Sequence, residues 1–259
     1  MQPVPLGENL RSSGRRVLRV LRRLPLERAL YLGRAHYCPL CRSHLRRFLT
    51  GGTIPRPNAQ CPVCGSFERH RLDWLYLTRR TNLLDGAPRR MLHIAPERSL
   101  AARLRTIPAL EYLSAGLTSP PGQLRMDITR LGFASGTFDV IYCSHVLEHI
   151  SEDRRALHEL YRVLAPGGWA LLKVPIEGET TREDHLITDP EARLRLYGHP
   201  GHVRGYGLDF TERIAEAGFR VSLTRASELL AANERALCAI PDDPQCVFYC
   251  EKQKAQDER

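Results

Sequence analysis

Cys38-Pro-Leu-Cys41 and Cys61-Pro-Val-Cys64 are the residues of this chain most plainly suited to chemistry. Two thiolates three positions apart can turn on a tight knuckle and face one centre. Two such knuckles close a tetrahedron of four sulfurs. The 19 residues between the pairs carry Gly51, Gly52, Pro55, Pro57 and Asn58, the turn formers that a ribbon of short hairpins needs. The pattern predicts a structural zinc held by Cys38, Cys41, Cys61 and Cys64. Redox-active pairs are the alternative, but neither pair opens a strand–helix unit. His36, His44 and His70 lie close by in sequence, and since four thiolates already fill the shell they are read as bystanders. Cys143, Cys238, Cys246 and Cys250 follow no ligand spacing. Cys246 and Cys250 share one strand face, as buried apolar thiols do.

A second group of reactive side chains is Ser144-His145-Val146-Leu147-Glu148-His149, placed directly after the apolar run Phe138–Cys143. His145 follows the run immediately, and a neutral imidazole at a strand end can accept a proton from a substrate. His149 is read as packing against or capping the next helix, because a metal site made with His145 has no third ligand specified by position. Residues 177–207 form a long insertion that includes Glu183, Asp184, His185, Asp189, Arg193, His199, His202, Arg204 and Tyr206. Connections longer than about 12–15 residues are usually functional or disordered. This one is expected to be a substrate lid, and His145 and His202 are the candidate catalytic residues.

These groups need elements to position them. Residues 66–84 read as a helix with Leu72, Leu75, Tyr76 and Leu83 on or near one face and arginines elsewhere, connecting the ribbon to the core. Beyond it, short apolar runs alternate with helical patterns, the mark of βαβ construction. The predicted strands are Met91–Ala95, Glu111–Ala115, a short piece near Arg125–Asp127, Phe138–Cys143, Trp169–Pro175, Phe219–Leu223 and Cys246–Glu251.

Phe138 to Ile150, a helix, the Pro166-Gly167-Gly168 turn and the strand ending at Pro175 together resemble the second half of a class I S-adenosylmethionine (SAM)-dependent methyltransferase. The stretches Leu147–Ile150 and Glu159–Gly168 are similar to methyltransferase type 11 sequences. The resemblance covers about residues 85–255. It implies an α/β, Rossmann-like seven-stranded fold, here with a small N-terminal zinc ribbon, and SAM held at the carboxyl ends of the strands. In the first cofactor loop, His93 stands where the family has an acid, and Ala95, Glu97 and Ser99 stand where it has glycines. Gly116 occupies the place of the usual ribose-binding acid, for which Glu97 is the substitute carboxylate. Asp127 and Ile128 match the adenine-binding loop, and Ser144 opens the loop that passes under the methionine portion. The expected cofactor-binding set is therefore His93, Ala95, Glu97, Gly116, Asp127, Ile128 and Ser144. The departures at the first loop and at Gly116 keep open a non-catalytic binding protein of the same fold.

Charge bounds the partners. Residues 1–80 hold 16 arginines against 4 acidic residues, while the rest holds 22 basic against 25 acidic residues. The organisation expected is a basic arm at 1–35, the ribbon and helix at 36–84, and the methyltransferase domain at 85–259. Within the arm, Val17, Leu18, Leu21 and Leu24 share a helical face, so residues 11–24 could touch an anionic membrane or nucleic acid, or pack on their own protein. The basic segment lacks the interleaved aromatics of single-strand binders. A small molecule or sugar intermediate, methylated on oxygen or nitrogen, is therefore preferred over RNA as acceptor. No run approaches the roughly 18 apolar residues of a membrane span. Cys-x-x-Cys pairs used for metal suit a reducing compartment, and the cytoplasm is expected.

Overall fold

The structure is a computed structural model that describes residues 29–117, 124–242 and 246–254. The amphipathic stretch within residues 11–24 lies outside them. Two antiparallel hairpins come first, β1 (Leu32–Cys38) with β2 (Ser43–Leu45) and β3 (Leu49–Gly51) with β4 (Arg56–Gln60). Helix α1 (Glu68–Arg80) follows.

The larger domain is built from β5 (Arg89–Ile94), α2 (Arg98–Leu104), β6 (Leu110–Gly116), β7 (Leu124–Arg125), β8 (Phe138–Ser144), α3 (Asp153–Val163) and β9 (Leu164–Lys173). Then come β10 (Arg182–Glu183), α4 (Pro190–Tyr197), β11 (Arg204–Gly205), α5 (Phe210–Glu216), β12 (Arg220–Arg225), α6 (Ala226–Leu229), α7 (Ala232–Cys238) and β13 (Cys246–Glu251). Seven strands form one sheet in the order β12-β13-β9-β8-β5-β6-β7. Only β13 runs against its neighbours, antiparallel to both β9 and β12. This is the seven-stranded, Rossmann-like arrangement expected from the sequence. The chain leaves β5 for β6 on one side and returns to β8 on the other, so a crevice opens beyond the carboxyl ends of β5 and β8.

The strands form where both faces can be covered. In β8 every residue except Asp139 is buried, the near-continuous apolar run of a central parallel strand. Alternate residues face two cores. Leu92, Ile94, Ile141, Cys143, Leu172 and Phe248 pack on one face with the apolar side of α3. Met91, Val140, Tyr142, Trp169, Leu171 and Val247 pack on the other. The expected turn at Pro166–Gly168 is absorbed into β9 as an irregularity, because β9 begins directly after α3. Gly168 fits there only without a side chain, since a Cβ would come within 2.8 Å of the Asp139 carbonyl oxygen.

The ribbon shares the second core. Cys38, Leu40, Leu45, Phe48 and Cys61 belong to the same apolar cluster as Trp74, Tyr142 and Trp169. Helix α1, expected as a connection, is itself a packed layer, and not all its arginines face outward. Arg71 is fully buried. It donates to the carbonyls of Ala59 and Ser66 in the ribbon (3.0 and 3.1 Å) and of Cys238 and Ala239 at the end of α7 (2.7 and 2.9 Å). Two residues on, buried Asp73 accepts from Lys173 Nζ at 2.8 Å and from the Tyr142 hydroxyl at 2.7 Å.

A buried ion pair that loses one partner leaves an uncompensated charge, at a cost of about 3–5 kcal/mol. Lys173→Met should destabilise the protein on that scale. The double variant Asp73→Asn, Lys173→Met should recover much of the loss, because the Asn amide is neutral and still accepts from Tyr142. Urea unfolding of both checks this, and equal losses would show that the charge on Asp73 is not the cause.

Candidate functional site

The ribbon brings its four cysteines together. Cys38 Sγ lies 3.7 Å from Cys64 Sγ, and Cys41 Sγ lies 3.7 Å from Cys61 Sγ. A tetrahedron with zinc–sulfur bonds of about 2.3 Å has edges of about 3.8 Å. Each knuckle closes with a backbone bond, Arg42 N–H to Cys38 O (2.8 Å) and Gly65 N–H to Cys61 O (2.9 Å). The residue after each pair takes the left-handed conformation this requires, with φ 58° at Arg42 and 76° at Gly65. The four-thiol donor set and its spacing are those of a structural zinc. No histidine joins the group. His36 faces Ala236 O, His44 lies against the Tyr37 ring, and buried His70 faces Glu97.

The crevice at the switch point holds a cavity of about 390 Å³, mostly apolar, that includes Ala95, Gly116, Met126, Ile128, Leu131 and His145 in its wall. Ala95 and His145 end β5 and β8, and both are left-handed, with φ 47° and 54°. Each is held there by one more ladder bond, Ala95 N–H to Ala115 O (2.7 Å) and His145 N–H to Lys173 O (2.9 Å). A glycine would adopt this backbone without strain. The methyl of Ala95 is the smallest side chain that still leaves the loop open to a ligand.

Of the other expected cofactor residues, four stand outside this wall. His93 is fully buried, with its Nε2 2.9 Å from Glu97 Oε2 and its Nδ1 2.8 Å from the Tyr112 hydroxyl. Glu97 is therefore turned inward beneath the loop and does not line the crevice, against its expected part as the substitute carboxylate. Burial alone would raise its carboxyl, but His93 and His70 hold it down at about 2. Ser144 is buried at the end of β8. Asp127 is exposed beside the cavity, its Oδ1 accepting from Thr129 N–H at 2.8 Å and Thr129 Oγ1–H at 2.9 Å. Those two bonds lower its pKa and leave its second oxygen outward. The apolar floor of Met126, Ile128 and Leu131 suits a flat base, and Asp127 at its edge suits an amine.

A second cavity, of about 630 Å³, adjoins the first and shares His145 and His149 with it. Its walls come from the ribbon tip (Gly52, Ile54), from Lys173 and from the segment 177–207 (His199, His202). After β8 a short 3-10 turn, Leu147–His149, folds Glu148 back under His145. The Glu148 carboxylate is buried, 3.2 Å from His145 Nδ1 and 4.0 Å from His202 Nε2. Burial pushes its pKa up, yet the neighbouring His145 imidazole outweighs this and the carboxyl sits below its ordinary value. Burial lowers the pKa of His202, which keeps that ring neutral. Glu148 escaped the sequence reading, although an acid three residues after a strand-end histidine, within an apolar run, was the available signal.

The segment 177–207 is fastened down. Helix α4 starts at Asp189, whose side chain accepts from Ala192 N–H at 2.7 Å, and ends at left-handed Gly198. β10 and β11 pair with each other. Buried Arg204 binds Glu183 Oε2 at 2.8 Å and donates to the carbonyls of Leu147, Ile150 and Ser151. Arg213 bridges Glu183 and Asp153 at 2.7 and 2.9 Å, and the Tyr206 hydroxyl donates to Asp153 at 2.6 Å. His202 Nδ1 meets Tyr197 O at 2.8 Å.

Parts of this chain are similar to known proteins. Residues 97–172 match the family model of the methyltransferase domain. An uncharacterized methyltransferase of Mycobacterium sp. (strain KMS) is 34% identical over 84 residues, 30% of this chain and 33% of that protein. This chain thus spans about a third of the length of the curated relatives it matches. Among solved structures, a SAM-dependent methyltransferase from Mesorhizobium loti superposes with a TM-score of 0.46 at 14% identity, over 69% of this chain and 97% of that one. The 1,6-didemethyltoxoflavin-N1-methyltransferase of Burkholderia thailandensis, solved with bound 1,6-didemethyltoxoflavin and S-adenosylhomocysteine, gives 0.48 at 14% identity over 72% and 79%. The family model thus matches part of the larger domain, whose whole sheet has the seven-stranded, Rossmann-like strand order. Among the described residues, no helix is long and apolar enough to cross a membrane.

Two outcomes follow from this geometry. Protein prepared without chelator should hold one tightly bound zinc at the four cysteines, which Cys61→Ser loses. Because both tryptophans of the chain sit in the core shared with the ribbon, that loss should shift tryptophan emission to the red. Metal analysis with fluorescence checks both, and zinc-free wild type with unshifted emission would sink the assignment. For Glu183, burial raises the carboxyl pKa, but Arg213 and Arg204 bring it down to about 2, from 4.5. A depressed carboxyl stabilises the fold above its ordinary value, and that contribution is lost as pH falls through the depressed one. Amide protection in 177–207, corrected for intrinsic rates, should stay constant above about pH 4.5 and fall toward pH 2 ahead of the sheet. Loss simultaneous with the sheet would mean that Glu183 does not fasten the segment.

Proposed function

We propose that this chain is a SAM-dependent methyltransferase acting on an oxygen or nitrogen nucleophile of a small molecule held beneath residues 177–207. The observation that carries the reading is His145, which lines both the crevice that the class I fold gives to the cofactor and the adjoining cavity. A group at that junction can touch donor and acceptor together.

Bound in the crevice, SAM supplies a methyl group on a sulfonium. Ala95 and Gly116 would leave room for it, Met126, Ile128 and Leu131 would cover the base, and Asp127 at the edge would accept from its amine. With Nδ1 turned to Glu148, His145 keeps the lone pair of Nε2 for the acceptor's proton. On transfer the acceptor's proton would pass to His145 as the methyl group moved from the sulfonium to the acceptor atom, leaving a neutral thioether. Most of the rate comes from alignment in a closed pocket, with the base adding on the order of 10²-fold or more.

A cavity of about 630 Å³ lies within the roughly 300–1,000 Å³ of small-molecule sites. The ribbon tip walls one side of it, which gives the zinc module a place in the pocket without any nucleic acid. None of the eight cysteines is joined in a disulfide, which suits a reducing, cytoplasmic setting.

The test begins with calorimetry, in which wild type and His145→Ala should bind SAM within a few-fold of each other. Methyl-labelled SAM incubated with the low-molecular-weight fraction of a cell extract should then label a small molecule. His145→Ala should cut that labelling by roughly 10²-fold. Absence of SAM binding by the wild type would favour the binding-protein alternative. Label found in RNA instead would overturn the acceptor class.

A further inference from the structure

We propose that His149, His199 and His202, with Glu148 beside them, form a second metal site, for a divalent transition-metal ion, in the wall of the 630 Å³ cavity. One ring nitrogen of each of the three histidines lies within 4.8 Å of the corresponding atom of the others. Their rings stand 4.8–5.4 Å apart between centroids. Sequence spacing hides this group, because His149 belongs to the turn after β8 and the other two come from the segment about fifty residues later.

For two of the three histidines the outer contacts are those of metal-binding imidazoles. A ligating histidine ordinarily donates its other N–H to a carbonyl or carboxylate, which fixes the ring and frees the second nitrogen. His149 Nδ1 meets Gly201 O at 3.0 Å, and His202 Nδ1 meets Tyr197 O at 2.8 Å. Both Nε2 lone pairs are thereby free. His199 Nδ1 accepts Gly201 N–H at 3.0 Å, so it presents a lone pair to an ion only on giving up that bond.

Glu148 points independently to a cation. Its side chain is 1% exposed, and neither carboxylate oxygen has an aligned hydrogen-bond partner among the described residues. His145 stands close at 3.2 Å without that alignment, and His202 Nε2 is 4.0 Å away. A buried carboxylate is costly unless it is paired or coordinates a metal. A divalent ion beside His202 would take one of its oxygens. Three imidazoles and a carboxylate suit zinc, cobalt or nickel better than magnesium or calcium, which prefer all-oxygen shells. Such an ion would keep an open position toward the cavity, where an acceptor hydroxyl or carboxylate can bind. Ion binding stands apart from the methyl-transfer reading, whereas that use of the ion rests on it.

Cobalt(II) added to full-length protein that already holds zinc at the four cysteines is the direct test. The wild type should take up one further equivalent, with visible d–d bands and no thiolate-to-cobalt charge transfer. His199→Ala and His202→Ala should each weaken that uptake by roughly 100-fold, and Glu148→Gln by roughly 10-fold. Cysteine-bound zinc and tryptophan emission unchanged in each variant certify that it is folded. No second equivalent at millimolar cobalt, or equal uptake by folded His199→Ala, overturns the proposal. SAM calorimetry on the same samples keeps the two readings separable, since lost SAM affinity with intact cobalt uptake strikes the methyl-transfer reading alone.

Discussion

Opposite charges two residues apart on one buried helix, Arg71 and Asp73, hold the molecule's two parts in register. Arg71 spends its donors on carbonyls of the ribbon and of α7, and its guanidinium lies 4.0 Å above the Phe48 ring. Asp73 takes Lys173 and Tyr142 from the sheet. Since a buried charge is tolerated only with its partners in place, the ribbon, α1 and the carboxyl ends of β8 and β9 adopt one relative position. That position sets the ribbon tip over the larger cavity. The zinc module is thus a wall of the pocket, and its four sulfurs stabilise a surface of the site as well as a fold of their own.

The strand ends store strain in the walls of the cavities. A non-glycine residue in the left-handed region costs roughly 1–2 kcal/mol, and the structure bears this at both Ala95 and His145. Each is locked by the next bond of the ladder, Ala95 to β6 and His145 to β9. At Ala95 the strain opens the loop where glycine is usual. At His145 it turns the side chain off the line of the strand and onto the boundary of the two cavities. Strain of this kind persists only when the surroundings over-determine it, and here two flanking parallel strands do so.

Legibility in the sequence followed the range of the interaction. The four cysteines and the apolar strands are local patterns visible as spacing, whereas Asp127 and Ile128 stand out only through the family resemblance. The strand bounds shifted by a few residues where tertiary pairing extended them, most clearly at β9, whose Pro166–Gly168 turn became part of the strand. Inward-turned charges were not legible. Arginine on a helix is ordinarily solvated, so nothing local marked Arg71 as buried, and the direction of Glu97 was decided by His93 beneath it. The histidine group was illegible for a different reason. His149 had a partner in sequence, His145, but its partners in space come from the segment that Arg204 folds back over the turn.

Arg204 also explains why residues 177–207 should not be pictured as a freely swinging flap. Its guanidinium satisfies three carbonyls of the turn after β8 and ion-pairs with Glu183, so lifting the segment would strand several buried polar groups at once. The turn that carries Glu148 and His149 and the segment that carries His199 and His202 therefore move as one piece. Glu148 lies between the two functions proposed for this piece, 3.2 Å from His145 and 4.0 Å from His202. Both distances reach the same oxygen, Oε1, so a single buried carboxylate stands between the two sides of the pocket.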